Sequence, residues 1–161
     1  MSTQIPRFED DFGSTYLLVK PGTFVMGNMS INSPRRESPS RNVNITEPYF
    51  FGQMQVTQLH WQSVMGDNPA KFCEGWSAGL RPIENVSWDD AQLFVDKLNA
   101  EHNDSLRLGL RGIWRLPSES EWEYAARADT ITRWSFGDRD SDLDEHGWHA
   151  GNSGASTREV G

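Results

Sequence analysis

WRLPSESEWEYAARA, Trp114 to Ala128, carries its own start signal. Leu116-Pro117 brings the chain in extended, because the residue before a proline is pushed out of helical angles. Ser118 stands at the N-cap, and Glu121, three residues on, completes a capping box. Glu119 and Glu121 also favour the positive end of the helix dipole. Trp122, Ala125 and Ala126 form an apolar face whose alanines allow close approach. The stretch is expected to be a buried helix on which the rest of the chain packs, so Trp122→Ala should cost ~3–5 kcal/mol. Arg115 and Arg127 flank it and are expected to pair with Glu119, Glu121 or Glu123 in a structural network.

Around that stretch, the composition points to an irregular core. The 161 residues suit one domain and include seven tryptophans, eight phenylalanines and 14 glycines. Large aromatics, rather than layers of Leu, Val and Ile, are expected to fill the interior of a loop-rich fold. The net charge of −8 argues against nucleic acid or an anionic membrane as partner, since clustered Lys and Arg are missing. A solvated acidic surface is the plain reading, and cation binding is compatible with it. The single cysteine, Cys73, excludes an internal disulfide and fits a reducing compartment. The first residues, MSTQIPRFEDDFG, show no signal-peptide pattern, and no apolar run is long enough to span a bilayer. The expectation is a soluble cytoplasmic protein.

Upstream, residues 1–13 read as a flexible lead. Tyr16–Lys20 and Thr23–Met26 are short β-rich runs separated by Pro21-Gly22, which predicts a hairpin. Gly27–Arg41 reads as a long loop in which Pro34, Arg35, Arg36, Ser38 and Ser40 offer at most a small basic patch. Asn42–Ile45 alternates, and Tyr49–Phe51 with Gln53–Val56 gives another predicted strand pair. Thr57 caps a helix over Gln58–Met65, closed by Gly66. His60 on that helix reads as a surface or satisfied histidine rather than a metal ligand. Phe72, Cys73 and Trp76 are expected to plug the core, with Cys73 structural, because no base is in view to activate it. Ser87 caps the longest helix, Trp88 to Ala100, with Asp90 as box partner and Trp88, Ala91, Phe94, Val95 and Leu98 as its core stripe. Glu101–Arg111 reads as a connection. Downstream, Thr132–Phe136 is a predicted strand and Gly137–Glu145 a solvated acidic loop lacking calcium-loop spacing. His146 and His149 are only a weak metal pair, and Gly151 to Gly161 is loop by composition.

Several of these stretches together resemble one family. FVMG at Phe24–Gly27, QVTQLHWQSVMGDNPAKF at Gln55–Phe72, RPIENVSWDDAQLFVDKLN at Arg81–Asn99, WRLPSESEWEYAARA at Trp114–Ala128, FGD at Phe136–Asp138 and the closing GNSGASTREVG are similar, in order and spacing, to the formylglycine-generating enzymes, or sulfatase-modifying factors. The resemblance covers nearly all of Phe24–Gly161. It implies an α+β, irregular, loop-rich C-type-lectin-like fold over residues 14–161, with Trp88, Arg115, Pro117, Glu121, Trp122 and Glu123 as structural signature positions. It also implies a further half after a V-G such as Val160-Gly161, so the domain as given is expected to be partial. Family members hold copper through a cysteine pair in that further half, and Cys73 matches no part of that motif. Copper is therefore not expected in this chain. Calcium remains open, with Asn152 matching a loop that contributes to one of the family's calcium sites.

Three functions follow from the resemblance. The first is a non-catalytic domain acting through a protein partner or self-association, the partner completing the fold. The second is a truncated or split metal-dependent oxidoreductase that converts cysteine to formylglycine, inactive alone without the cysteine pair. The third is a lectin-like ligand-binding module. No residue of the chain is assigned a catalytic role. Trp122, Glu123, Trp148 and His149 place aromatics beside charges, where core packing or a salt bridge is the plainer role.

Overall fold

A computed structural model describes residues 5–27, 39–101 and 112–161. Five short strands appear there: β1 (Arg7–Glu9), β2 (Thr15–Val19), β3 (Gly22–Met26), β4 (Arg41–Ile45) and β5 (Tyr49–Gly52). The helices are α1 (Gln58–Met65), α2 (Trp88–Glu101), α3 (Glu119–Arg127) and the single turn α4 (Leu143–His146). The expected α+β, loop-rich architecture is what the chain adopts. Pro34, Arg35, Arg36 and Ser38 of the basic patch, and nearly all of the 101–111 connection, lie outside the described residues.

The strands form two small sheets, ordered β1-β2-β5 and β3-β4. The hairpin expected across Pro21-Gly22 does not form. β2 pairs antiparallel with β1, matching Arg7 with Leu17, while β3 pairs with β4, from Gly22↔Ile45 to Met26↔Arg41. A tight two-residue hairpin needs left-handed residues at its tip, and Gly22 is not in that region. Nor are residues 1–13 wholly a loose lead, since β1 lies within them. Gln53–Val56 is not a strand either; only Thr57 makes an isolated bridge, to Pro82.

The chain divides into two compact units, Met1–Leu17 with Gly52–Leu116 and Gly147–Gly161, and Leu18–Phe51 with Pro117–His146. In the first, α1 and α2 bury Trp61, Val64, Phe94, Val95 and Leu98 against one another. The Trp61 and Phe94 rings stack with centroids 5.1 Å apart. Thr57 caps α1 by accepting the His60 amide at 3.2 Å, and Gly66, at φ 89°, ends it. Ser87 and Asp90 form the expected reciprocal cap of α2, the Ser87 hydroxyl accepting the Asp90 amide while Asp90 Oδ2 accepts the Ser87 amide at 2.8 Å. The Ser87 hydroxyl, donating to Asp90 Oδ2 at 2.7 Å, and next the Ser87 amide hold the Asp90 carboxyl below its ordinary range.

Two expectations for this unit fail. Trp88 is 69% exposed, because it opens the first turn of α2 ahead of the buried stripe that Phe94, Val95 and Leu98 define. Of the presumed plug, only Phe72 is half-buried; Cys73 is exposed and Trp76 is 96% exposed. The Phe72 backbone is fixed by Glu84, Gln58 and Arg81, and Gly75 at φ 102° then turns the chain outward.

In the second unit, α3 lies on β3. Its N-terminus carries the capping box read from sequence: the Ser118 hydroxyl accepts the Glu121 amide, and Glu121 Oε2 accepts the Ser118 amide at 2.8 Å. Its packing face is not the one expected. No residue of α3 is buried, Ala126 is exposed and Trp122 is 57% exposed. The inner face is instead Ser120, Glu123, Tyr124 and Arg127, at helical spacing. Ser120 reaches Met26 Sδ at 3.3 Å, and Tyr124 packs on Phe24 at 5.3 Å between centroids. A methyl group on Gly22 would collide with the Tyr124 hydroxyl, so Gly22 serves close approach rather than a turn. Thr132–Phe136 is not a strand but a tight turn closed by the Trp134↔Gly137 bridge. The acidic 137–145 segment winds into a 3-10 turn at Asp140–Asp142 and into α4.

Candidate functional site

Among the described residues, one polar cluster in each unit ties distant parts of the chain together. In the second unit, Glu123 and Arg127 hold the end of β3 from both sides of a single residue. The Gly27 amide donates to Glu123 Oε1 at 2.9 Å, and Arg127 Nη2 donates to the Gly27 carbonyl at 3.0 Å. The two side chains join one another at 2.7 Å, one helical turn apart and each about one-fifth exposed. Gly27 sits at φ 92°, a conformation suited to glycine. The Arg127–Glu123 pairing expected from sequence is present, and its task is main-chain positioning.

In the first unit, Asp10, Ser14, Tyr16 and His60 converge. Asp10 Oδ1 accepts the amides of Phe12 and Ser14, at 2.9 and 2.8 Å. Its Oδ2 accepts the Tyr16 hydroxyl at 2.9 Å and lies 3.7 Å from His60 Nε2. His60 Nδ1 is 3.0 Å from Ser14 Oγ. Burial, and next the Asp10 carboxylate, push the Tyr16 phenol well above its ordinary value. The cast is that of a serine nucleophile with its base, but the geometry is not. His60 is 1% exposed, with Phe12 stacked on its ring and Phe94 at its edge. The Ser14 amide, which would stabilise an oxyanion at the nucleophile, is already given to Asp10. The group ties the β1–β2 turn to α1. Sequence reasoning missed it because only the EDDFGS turn chemistry is local, and the contact with position 60 is not.

Arg115 is exposed and donates to the Leu116 carbonyl at 3.2 Å, and Pro117 precedes the α3 cap. Asn152 closes a turn, its Oδ1 accepting the His149 amide at 2.8 Å and its Nδ2 donating to the Gly147 carbonyl at 3.0 Å. His149 Nδ1 accepts the Gly151 amide, whereas His146 stacks on Phe136 in the other unit, 4.1 Å between centroids. Among the described residues no three His, Cys, Asp or Glu side chains converge as a metal-binding group. A copper centre built on a cysteine pair does not fit a chain with one cysteine.

What the surface does offer is aromatic. Trp76, Trp88, Trp122 and Trp148 are 96, 69, 57 and 63% exposed, Trp148 with the Arg158 guanidinium over its ring. Among the described residues no helix is long and apolar enough to cross a membrane.

Known proteins are similar to this chain in fold and sequence. The protein named Treponema denticola variable protein 1 superposes with a TM-score of 0.77 at 27% identity, over 98% of this chain and 69% of that one. PvdO from Pseudomonas aeruginosa superposes with a TM-score of 0.60 at 19% identity, over 80% of this chain and 54% of its own, a likeness of fold. Chaperone protein LppX of Paenibacillus barcinonensis is 28% identical over 164 residues, covering 86% of this chain and 54% of that protein. The chain therefore spans about half the length of the curated relative it matches. The sulfatase-modifying factor enzyme 1-like domain matches residues 2–159, nearly the whole chain. With capping box, paired sheets and loop-rich body all in place, the chain belongs to the sulfatase-modifying factor enzyme 1-like family.

Proposed function

We propose that this chain acts as a binding domain engaging a protein partner, with its polar clusters serving architecture. One observation carries the reading: four of its seven tryptophans are more than half exposed. Tryptophan is costly to leave in water and is enriched among residues that dominate protein interfaces. The Ser14–His60–Asp10 set, with His60 buried and the other two part-buried, supports the same reading, since its groups are engaged with one another. The name chaperone protein borne by the Paenibacillus relative is in keeping with a protein as ligand.

The experiment is affinity purification from native extract, identification of any stoichiometric second polypeptide, and rebinding of that polypeptide in purified form. Trp76→Ala and Trp148→Ala should weaken rebinding by about tenfold or more while leaving the circular dichroism spectrum unchanged. A monomer that recovers no second chain, together with tryptophan variants behaving as wild type, would sink the proposal. Stoichiometric copper or iron with thiol oxidation would favour the oxidoreductase reading instead.

A further inference from the structure

Arg133, Trp134, Phe136 and His146 form a ladder of flat groups in the second unit. The Trp134 and Phe136 rings lie 5.5 Å apart between centroids and 10° from parallel, and Phe136 and His146 lie 4.1 Å apart and 9° from parallel. The Arg133 guanidinium stands over Trp134 at 4.3 Å, and its Nη1 donates to Asp140 Oδ1 at 2.8 Å. The turn closed by the Trp134↔Gly137 bridge sets the first two rings together, and the single turn of α4 brings His146 back to them. Trp134 and Phe136 are half-buried, whereas His146 is exposed. Phe136 covers one face of the imidazole, and among the described residues no other ring meets it, so its second face lies open.

One end of the ladder shows what the other end can hold. Arg133 is stacked on a ring and tied to a carboxylate at once, a combination that suits a flat, forked guanidinium better than an ammonium. At the His146 end the same two elements recur. There is an open ring face and, one residue before it, the exposed Glu145 carboxylate, which makes no ion pair among the described residues. The surrounding charge agrees. Residues 133–146 hold five carboxylates and two arginines, and both arginines are already taken, Arg133 by Asp140 and Arg139 by Asp142. We infer that the His146 end of this ladder receives an arginine side chain of the protein partner, its guanidinium stacked on the imidazole and paired with Glu145. The inference rests on the partner-binding reading and gives that partner a chemistry, a segment with arginine and net positive charge. Such a segment is drawn to a chain whose net charge is −8.

The probe is an acetylated Gly-Arg-Gly-Arg-Gly amide, compared with a twin that carries lysine in place of arginine. Each is titrated into the purified chain at about pH 8, where imidazoles are neutral. Nuclear magnetic resonance should show the His146 ring protons shifting as the arginine peptide is added. That peptide should bind about two- to fivefold tighter than its lysine twin, and added salt should weaken it. His146→Ala and Glu145→Gln should each weaken arginine-peptide binding by about two- to fivefold. Trp76→Ala, in the other unit, should leave it unchanged. Circular dichroism checks that every variant is folded. Equal binding of the two peptides reduces the contact to charge attraction and overturns the stacked arginine. Indifference to His146→Ala or to Glu145→Gln overturns the assigned site. Failure of the arginine peptide to bind at all overturns the inference, while the partner-binding reading stands or falls separately, on the second polypeptide recovered from extract.

Discussion

Phe94 and Trp122 are both aromatic residues on helices, yet truncation removes different things from each. Phe94 is 5% exposed and stacked on Trp61, so Phe94→Ala opens a cavity and should cost ~3–5 kcal/mol in urea unfolding. Trp122 is 57% exposed, and Trp122→Ala should stay within about 1 kcal/mol of wild type. Equal losses would show that the Trp122 side chain is covered in solution. Gly22 makes a sharper case. Gly22→Ala must displace the Tyr124 hydroxyl and should cost ~1–3 kcal/mol, while the same change in a Tyr124→Phe background should cost less. Tyr16 sets a pH dependence. Its phenol titrates above the ordinary 10.0 in the folded state, so the folded chain keeps a proton that the unfolded chain gives up. That contribution is complete below the unfolded value and is lost as pH rises above it. Wild type should therefore lose stability between about pH 9 and 11 more steeply than Tyr16→Phe. Nothing around position 16 in the sequence foretells this, because the burial and Asp10 arrive through the fold.

At the scale of elements, the parts legible in the sequence were those decided within a few residues. Ser118 with Glu121, Ser87 with Asp90, and Thr57 with Gly66 are short-range hydrogen-bonding patterns, and all three place their helix ends as read. Ser118→Ala should accordingly cost ~1 kcal/mol, measured by thermal unfolding. Ala128 ends α3 at φ 47°, a left-handed position where a side chain is strained, so Ala128→Gly should stabilise by a few tenths to about 1 kcal/mol. Strand partners were not legible. Pro21-Gly22 looks like a hairpin tip, but β1 takes the edge of β2, and β4, fifteen residues beyond β3, takes β3. The face of α3 was misread for a related reason. Its inner row contains Glu123 and Arg127, which only the Gly27 backbone makes sense of.

For the molecule as a whole, family and fold class were legible because many short motifs occur in one order, and order survives where single contacts do not. The interior was less so. Counting aromatics predicted a core built from them, yet four tryptophans remain more than half exposed and the buried set centres on Trp61 and Phe94. Acrylamide should therefore quench the larger part of the tryptophan emission of the isolated chain, and a bound partner should restore protection. Unchanged quenching on saturation would place the partner away from Trp76, Trp88, Trp122 and Trp148. The grip on Gly27 carries one last implication. Glu123 and Arg127 hold an amide and a carbonyl, and Met26 is paired with Arg41 across β3 and β4. The strand end is therefore gripped by its peptide groups while the Gly27 φ of 92° demands glycine, so Gly27→Ala should loosen α3 from β3 through the backbone alone, with no side-chain contact removed.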